Sequence, residues 1–228
     1  ANLDDAQSNN GDIAFAYLAD PYIPVATNPQ VRYMHRGDDY GNESYGLELY
    51  VNALDPQGLS DIATVTVTSP NSDIYTLYDD GQHSDDGAND GRYGNHIWDL
   101  TQAPPTGEYL FTVTDNSANT ASVNDILVVV IDYPRNLHPA YNEFVTTSNP
   151  VFSWDPVAGV TTYSINVLDR NNNYTIWSAN TSNTSIIYNY NGSGAALADG
   201  NLYYWNLGTG IDDASSWHDD VAFAYSSD

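Results

Sequence analysis

The residues best placed to do chemistry run from Asp79 to Asp90, in DDGQHSDDGAND. Asp79, Asp80, Asp85, Asp86, Asn89 and Asp90 crowd oxygen donors onto a chain that Gly81, Gly87 and Gly91 let turn sharply. Calcium takes about six to eight oxygens, supplied by carboxylates and backbone carbonyls on such a turning chain. The six residues therefore predict a calcium loop. The same crowding also describes a solvated acidic hairpin loop that holds ions only diffusely. An EF-hand loop would need a ligand at Ala88, so the pattern is not that motif. His83, inside the loop, reads as a bystander.

Other chemistry finds little support. His35, His83, His96, His138 and His218 show neither a metalloprotease pair nor zinc-site spacing. There is no Gly-x-Ser-x-Gly elbow and no phosphate loop. Counting carboxylates does not settle whether two of them form a glycosidase pair. Short loops on a small β scaffold offer no obvious cleft, so the chain reads as non-enzymatic.

The elements that position the acidic loop are strands. Ile62 to Thr68 alternates strictly, with Ala63, Val65 and Val67 on one face and Ile62, Thr64, Thr66 and Thr68 on the other. That period of two with β-branched residues marks a half-buried strand. Similar runs recur at Val31–His35, Leu47–Ala53, Ile74–Tyr78, His96–Leu100, Tyr109–Thr114 and Ser122–Ile131, separated by turn residues. The unbroken apolar stretch Ile126–Ile131 predicts a strand buried on both faces. Asp132-Tyr133-Pro134-Arg135 reads as a short, proline-stiffened linker. Beyond it come Val151–Trp154, Thr161–Leu168, Tyr174–Ser178, Ser185–Tyr190, Leu202–Leu207 and Val221–Tyr225. Phe152 and Trp154 share a face, as do Tyr163, Ile165 and Val167, and Tyr203, Trp205 and Leu207. That is an aromatic core. Trp98, Trp177, Trp217 and Tyr190 are less constrained by pattern and are candidates for a sugar-stacking platform.

The expected fold is all-β: two tandem immunoglobulin-like or fibronectin III-like β-sandwiches with an extended N-terminal arm. The arm covers residues 1–30 and holds one candidate strand, 13–17, before Pro21, Pro24 and Pro29, which confine any strand there to a sheet edge. The sandwiches cover 31–134 and 135–228, since one such module takes about 100 residues. Ile13-Ala-Phe-Ala-Tyr17 is echoed by Val221-Ala-Phe-Ala-Tyr225, each after an Asp. Ile13, Phe15 and Tyr17 could thus donate a strand to a neighbouring copy, or pair within their own chain.

Composition bounds the partners. Thirty acidic residues face five basic ones, all arginine, for a net charge of −25. Such a surface repels nucleic acid and anionic membranes, and no run approaches the roughly 20 apolar residues of a membrane span. With no cysteine, disulfides and thiol chemistry are absent. Ala1 in place of Met fits a mature secreted form, and a trimmed fragment equally. Abundant Tyr, Asn, Ser and Thr also suit a secreted surface. Five sequons, at Asn42, Asn173, Asn180, Asn183 and Asn191, are acceptors if the source glycosylates them.

The first expected sandwich resembles the immunoglobulin-like repeats of bacterial and archaeal surface proteins. The likeness is carried by Asp55-Pro56-x-Gly58-Leu59-Ser60-Asp61-Ile62-Ala63, Leu77-Tyr78-Asp79-Asp80-Gly81, Asp90-Gly91-x-Tyr93 and Gly107-x-Tyr109-x-Phe111-Thr112-Val113-Thr114-Asp115. It departs from the family's usual Gly-Asp-Gly-x-Tyr ending at Asn89. The second is similar to a fibronectin type III module, through Pro150–Gly159, Tyr163-Ser164-Ile165-Asn166-Val167 and Gly200-x-Leu202-Tyr203-Tyr204-Trp205. The resemblances imply an extracellular, usually non-catalytic protein. Two readings follow: a structural or adhesive surface protein that assembles with itself through its N-terminal strand, or a carbohydrate-binding accessory module of a larger secreted protein.

Overall fold

The computed structural model describes residues 22–227, so Ile13, Phe15 and Tyr17 lie outside the described residues. The chain is all-β, as its alternating patterns predict. Its strands are β1 (Val25–Gly37), β2 (Glu43–Leu54), β3 (Ile62–Thr68), β4 (Ile74–Leu77), β5 (Arg92–Leu100), β6 (Gly107–Asp115) and β7 (Thr120–Leu127). They continue with β8 (Glu143–Val145), β9 (Val151–Ser153), β10 (Tyr163–Asp169), β11 (Tyr174–Thr181), β12 (Ser185–Ile187), β13 (Leu202–Ile211) and β14 (Ala214–Tyr225). A 3-10 turn, Leu59–Asp61, precedes β3.

Among the described residues the strands form three sheets. One has the order β11-β10-β13-β14-β1-β2-β5 with β8 beside β14; the others are β12-β9 and β4-β3-β6-β7. The chain divides into two compact units. One takes the described residues up to Gln30 with Leu49–Asn95 and Glu108–Asp125; the other takes Val31–Glu48, His96–Gly107 and Ile126 onward.

In the first unit, Val65 and Val67 of β3 are buried with Leu77, Tyr109, Phe111 and Val113. Ala63, expected on the same face, is exposed because a register shift between Ile62 and Thr64 interrupts the β3–β6 ladder.

The second unit has the aromatic core that the alternation predicts. Phe152, Tyr163, Ile165, Val167, Tyr203, Trp205 and Leu207 are all buried. Phe152 sits at its centre, 4.7 Å from the Trp205 ring, 5.7 Å from Phe223 and 6.3 Å from Tyr188 between centroids. Buried rings with polar tips find partners: Trp205 Nε1 donates to Pro139 O at 2.9 Å, and Tyr163 Oη accepts from Val157 N at 2.9 Å. The β1–β14 pairing is parallel, from Tyr33 opposite Ala214 to Gly37 opposite His218. Pro29 lies upstream of that register, where its missing N–H breaks no bond to β14.

One reading changes. The run Ile126–Ile131 is not a strand buried on both faces: β7 ends at Leu127, and Ile126, Val128 and Val130 are exposed while Leu127 and Ile131 are buried. An apolar run does not itself say that both faces are covered. The Asp132–Arg135 segment is tied down by its own side chains. Tyr133 is buried, and Arg135 donates to Glu43 Oε1 at 2.7 Å and to Asp132 Oδ1 at 3.1 Å. His35 is buried on the same side, with Nδ1 3.1 Å from Ile131 O and Nε2 3.4 Å from Glu43 Oε2.

Candidate functional site

The acidic loop joins β4 to β5, and its turns are made by residues that tolerate left-handed backbone. Asp86 and Asn89 have φ of 72° and 60°, and Ser84 63°. Its carboxylates are largely spent on the loop's own amides. Asp79 accepts from Asp90 N at 3.1 Å and Gly91 N at 3.0 Å. Asp85 Oδ2 accepts from Asp80 N and Gly81 N, at 2.5 and 2.9 Å. Asp90 Oδ1 accepts from Arg92 N, and Asp86 pairs with the Arg92 guanidinium, which also lies 4.4 Å over the Tyr50 ring. Asn89 enters through its backbone, donating to Asp79 O at 3.2 Å.

His83 makes two side-chain contacts. It stacks on Tyr78 at 4.1 Å, and its Nδ1 lies 3.0 Å from Asp80. The hydrogen bond from His83 leads in holding the Asp80 carboxyl below its ordinary value. Among the described loop residues, Asp85 Oδ1 is the buried side-chain oxygen without a partner, on a residue 0% exposed.

A second constellation, with no sequence motif of its own, occupies the outward positions of β10, β13 and β14. Alternation sends Tyr163, Ile165, Tyr203, Trp205 and Leu207 inward, so Asn166 and Asn206 face out, directly opposite each other in the ladder. Asn166 Nδ2 donates to Asn206 Oδ1 at 3.1 Å, and Asn206 Nδ2 donates to Asp220 Oδ1 at 2.8 Å. The β13–β14 register passes from Leu207–His218 to Trp205–Val221, so Asn206 alone faces both Asp219 and Asp220. This bulge puts both carboxylates beside one open groove of about 600 Å³, lined also by Ser164, Gly208, Trp217 and His218. Burial pushes the Asp219 carboxyl above its ordinary value, against the pull of Arg36, whose Nε lies 3.4 Å from Oδ2. The signal available in sequence was the polar half of each alternating strand, which a search for core residues passes over.

The proposed aromatic platform divides. Trp177 is buried, with Nε1 donating to Asn191 Oδ1 at 3.2 Å. Trp98 is exposed and meets Trp217 edge-on at 6.1 Å. Tyr190 is exposed beside Val151 and Ile187 on another open groove. Asn42, Asn173, Asn180, Asn183 and Asn191 are all exposed. No helix among the described residues is long and apolar enough to cross a membrane.

No protein-family model matches the chain, and no curated protein sequence does. Solved structures similar to it include dimeric latent PorU from Porphyromonas gingivalis, at 11% identity over 92% of this chain and 21% of that one, with a TM-score of 0.33. The chain thus spans about a fifth of PorU. The FN1–FN3 domains of chicken CNTN1 match at 14% identity over 88% of this chain and 65% of theirs, with a TM-score of 0.36. The N-terminal Ig1-2 module of the Drosophila receptor protein tyrosine phosphatase DLAR matches at 8% identity, 90% and 99% coverage and a TM-score of 0.34. At such scores the likeness carries no functional information, and the chain's own residues must supply it.

Proposed function

We propose that the chain is a non-catalytic adhesive module of a secreted or surface-displayed protein, with immunoglobulin-like and fibronectin III-like parts. The contact surface in this reading is the outward face of β10, β13 and β14, and its ligand is a polysaccharide. The supporting observation is the groove in which Trp217 stands beside a ladder of Asn166, Asn206 and Asp220. A ring face and a row of amide and carboxylate groups suit a sugar, which has apolar faces and a rim of hydroxyls. The strongly acidic surface keeps such a module soluble and away from nucleic acid.

The test is a glycan array and polysaccharide pull-down with the parent chain, Trp217→Ala and Asn206→Ala. Saturable binding that both variants weaken supports the reading. Binding that neither variant changes, or no binding to any glycan, refutes it.

Two further parts of the proposal concern calcium and assembly. The Asp79–Asp90 loop takes calcium through Asp85 Oδ1, the buried oxygen left without a partner. Calcium titration of the parent and Asp85→Asn tests this, and equal responses would remove the loop from consideration. Self-assembly through Ile13, Phe15 and Tyr17 rests on the sequence echo with Val221–Tyr225, a segment that is buried in β14 at Val221 and Phe223.

A further inference from the structure

Away from the loop and the groove, three chain segments of the first unit bring carboxylates together. Asp55 follows the last residue of β2, Asp61 closes the 3-10 turn before β3, and Asp115 ends β6. The β3–β6 register sets Ile62 opposite Asp115, which places Asp61 beside it. Gly58, with φ 107°, lets the chain double back from Asp55; its N–H donates to Asp55 O, and its carbonyl accepts from Asp61 N. One oxygen from each of the three aspartates lies within 4.8 Å of the other two.

Convergence alone would not mark a site. The second observation is what each carboxylate does with its oxygens. Asp55 is 8% exposed; Oδ1 accepts from Gln57 N at 2.7 Å, while Oδ2 is buried and has no hydrogen-bond partner. Asp61 Oδ1 accepts from Asn116 Nδ2 at 3.2 Å, and its Oδ2 is likewise buried and unpartnered. Asp115, 2% exposed, accepts from Ser117 N, Asn119 N and Asn119 Nδ2, each at 2.8 Å. No ion pair among the described residues reaches any of the three, the arginine pairs going to Asp219, Asp86, Glu43 and Asp132. Three carboxylates held together, Asp55 and Asp115 buried and Asp61 half-buried, with two oxygens unsatisfied and no cation beside them, repel one another unless a positive charge joins them.

We propose that Asp55, Asp61 and Asp115 bind one calcium ion that fastens the ends of β2, β3 and β6. The donors are all oxygen, which selects a hard cation over zinc. They sit on loops and strand ends, which suits the adaptable coordination of calcium, with water and loop carbonyls completing the shell. Extracellular modules of this kind hold calcium at roughly 10⁻⁴ to 10⁻³ M. This inference does not rest on the adhesive reading or on the Asp79–Asp90 loop.

The experiment is a calcium titration of the whole chain followed by amide NMR and calorimetry. The amides of Gln57, Ser117 and Asn119, which donate to these carboxylates, should shift saturably with calcium and return with EDTA. Asp61→Asn and Asp55→Asn should weaken the affinity read at those amides by about tenfold or more, while Asp85→Asn leaves it unchanged. In EDTA, both Asn variants should melt at or above the parent, because carboxylate repulsion has gone. A merely structural role predicts a lower melting temperature there and an unchanged calcium response, and that result overturns the proposal. Shifts that sodium chloride reproduces at equal ionic strength mean diffuse screening and also overturn it. If Asp85→Asn removes the calcium response and Asp61→Asn does not, the acidic loop holds the ion and this site fails alone.

Discussion

Gly37→Ala should unseat Tyr133 and so show that the Asp132–Arg135 segment is a clamp. Gly37 ends β1, and a methyl built on it would overlap Cζ, Cε1 and Cε2 of the Tyr133 ring, far inside the ~3.5–4.0 Å of a carbon contact. The ring cannot yield cheaply. It is 3% exposed, meets His35 edge-on at 5.1 Å, and carries the Arg135 guanidinium 4.0 Å over its face. Arg135 also donates to the Tyr133 hydroxyl at 2.7 Å. Losing the burial of one large side chain costs about 1.5–3 kcal/mol, and the cation–π contact adds about 0.5–2. The variant should therefore be roughly 2–5 kcal/mol less stable, which for a chain of this size lowers Tm by roughly 4–20 °C. Urea unfolding of the parent, Gly37→Ala, Tyr133→Ala and the double variant forms a cycle. If the overlap is the cause, the cost of Gly37→Ala largely disappears once Tyr133 is alanine. A cost below about 0.5 kcal/mol, or one unchanged in that background, refutes the reasoning.

The other predictions follow the same network, core and arm. The hydrogen bond from Arg135, ahead of that from Tyr45, holds Glu43 below its ordinary carboxylate value despite partial burial. Its folded pKa is thus depressed, so this stabilisation is present above the unfolded value of about 4.3 and is lost as pH falls through the folded one. Thermal melts from pH 6 downward should fall less steeply below about pH 4.5 for Glu43→Gln than for the parent, and parallel curves would contradict this. Phe152→Ala, at the centre of the second core, should cost about 3–5 kcal/mol in urea unfolding, whereas a loss below about 1 would mean that Phe152 is not central. Removing residues 1–20 should lower the number of copies per particle if the N-terminal strand joins copies, as read by light scattering. An unchanged number of copies per particle rules that assembly out.

Much of the fold is legible in local pattern. Alternation at Ile62–Thr68, Tyr163–Val167 and Tyr203–Leu207 names the strands and, through period two, most of the side chains that go inward; Val65, Val67, Ile165, Trp205 and Leu207 do, and Ala63 does not. Turn residues and the acidic run between Asp79 and Asp90 are equally local. Their hydrogen bonds close within a dozen residues, so short-range sequence contains both donors and acceptors.

What the tertiary structure decided is everything that depends on which strand lies beside which. Nothing in Tyr33 predicts Ala214 as its neighbour, and the three residues of β8 pair with β14 without a pattern long enough to read. The bulge that turns Asp219 and Asp220 to one groove exists only once β14 is set against β13. Asp55, Asp61 and Asp115 look like turn formers in the chain; a strand register spanning more than fifty residues makes them neighbours. Period and polarity are properties of consecutive residues, whereas register is a choice among long-range pairings settled by the packing of the whole unit.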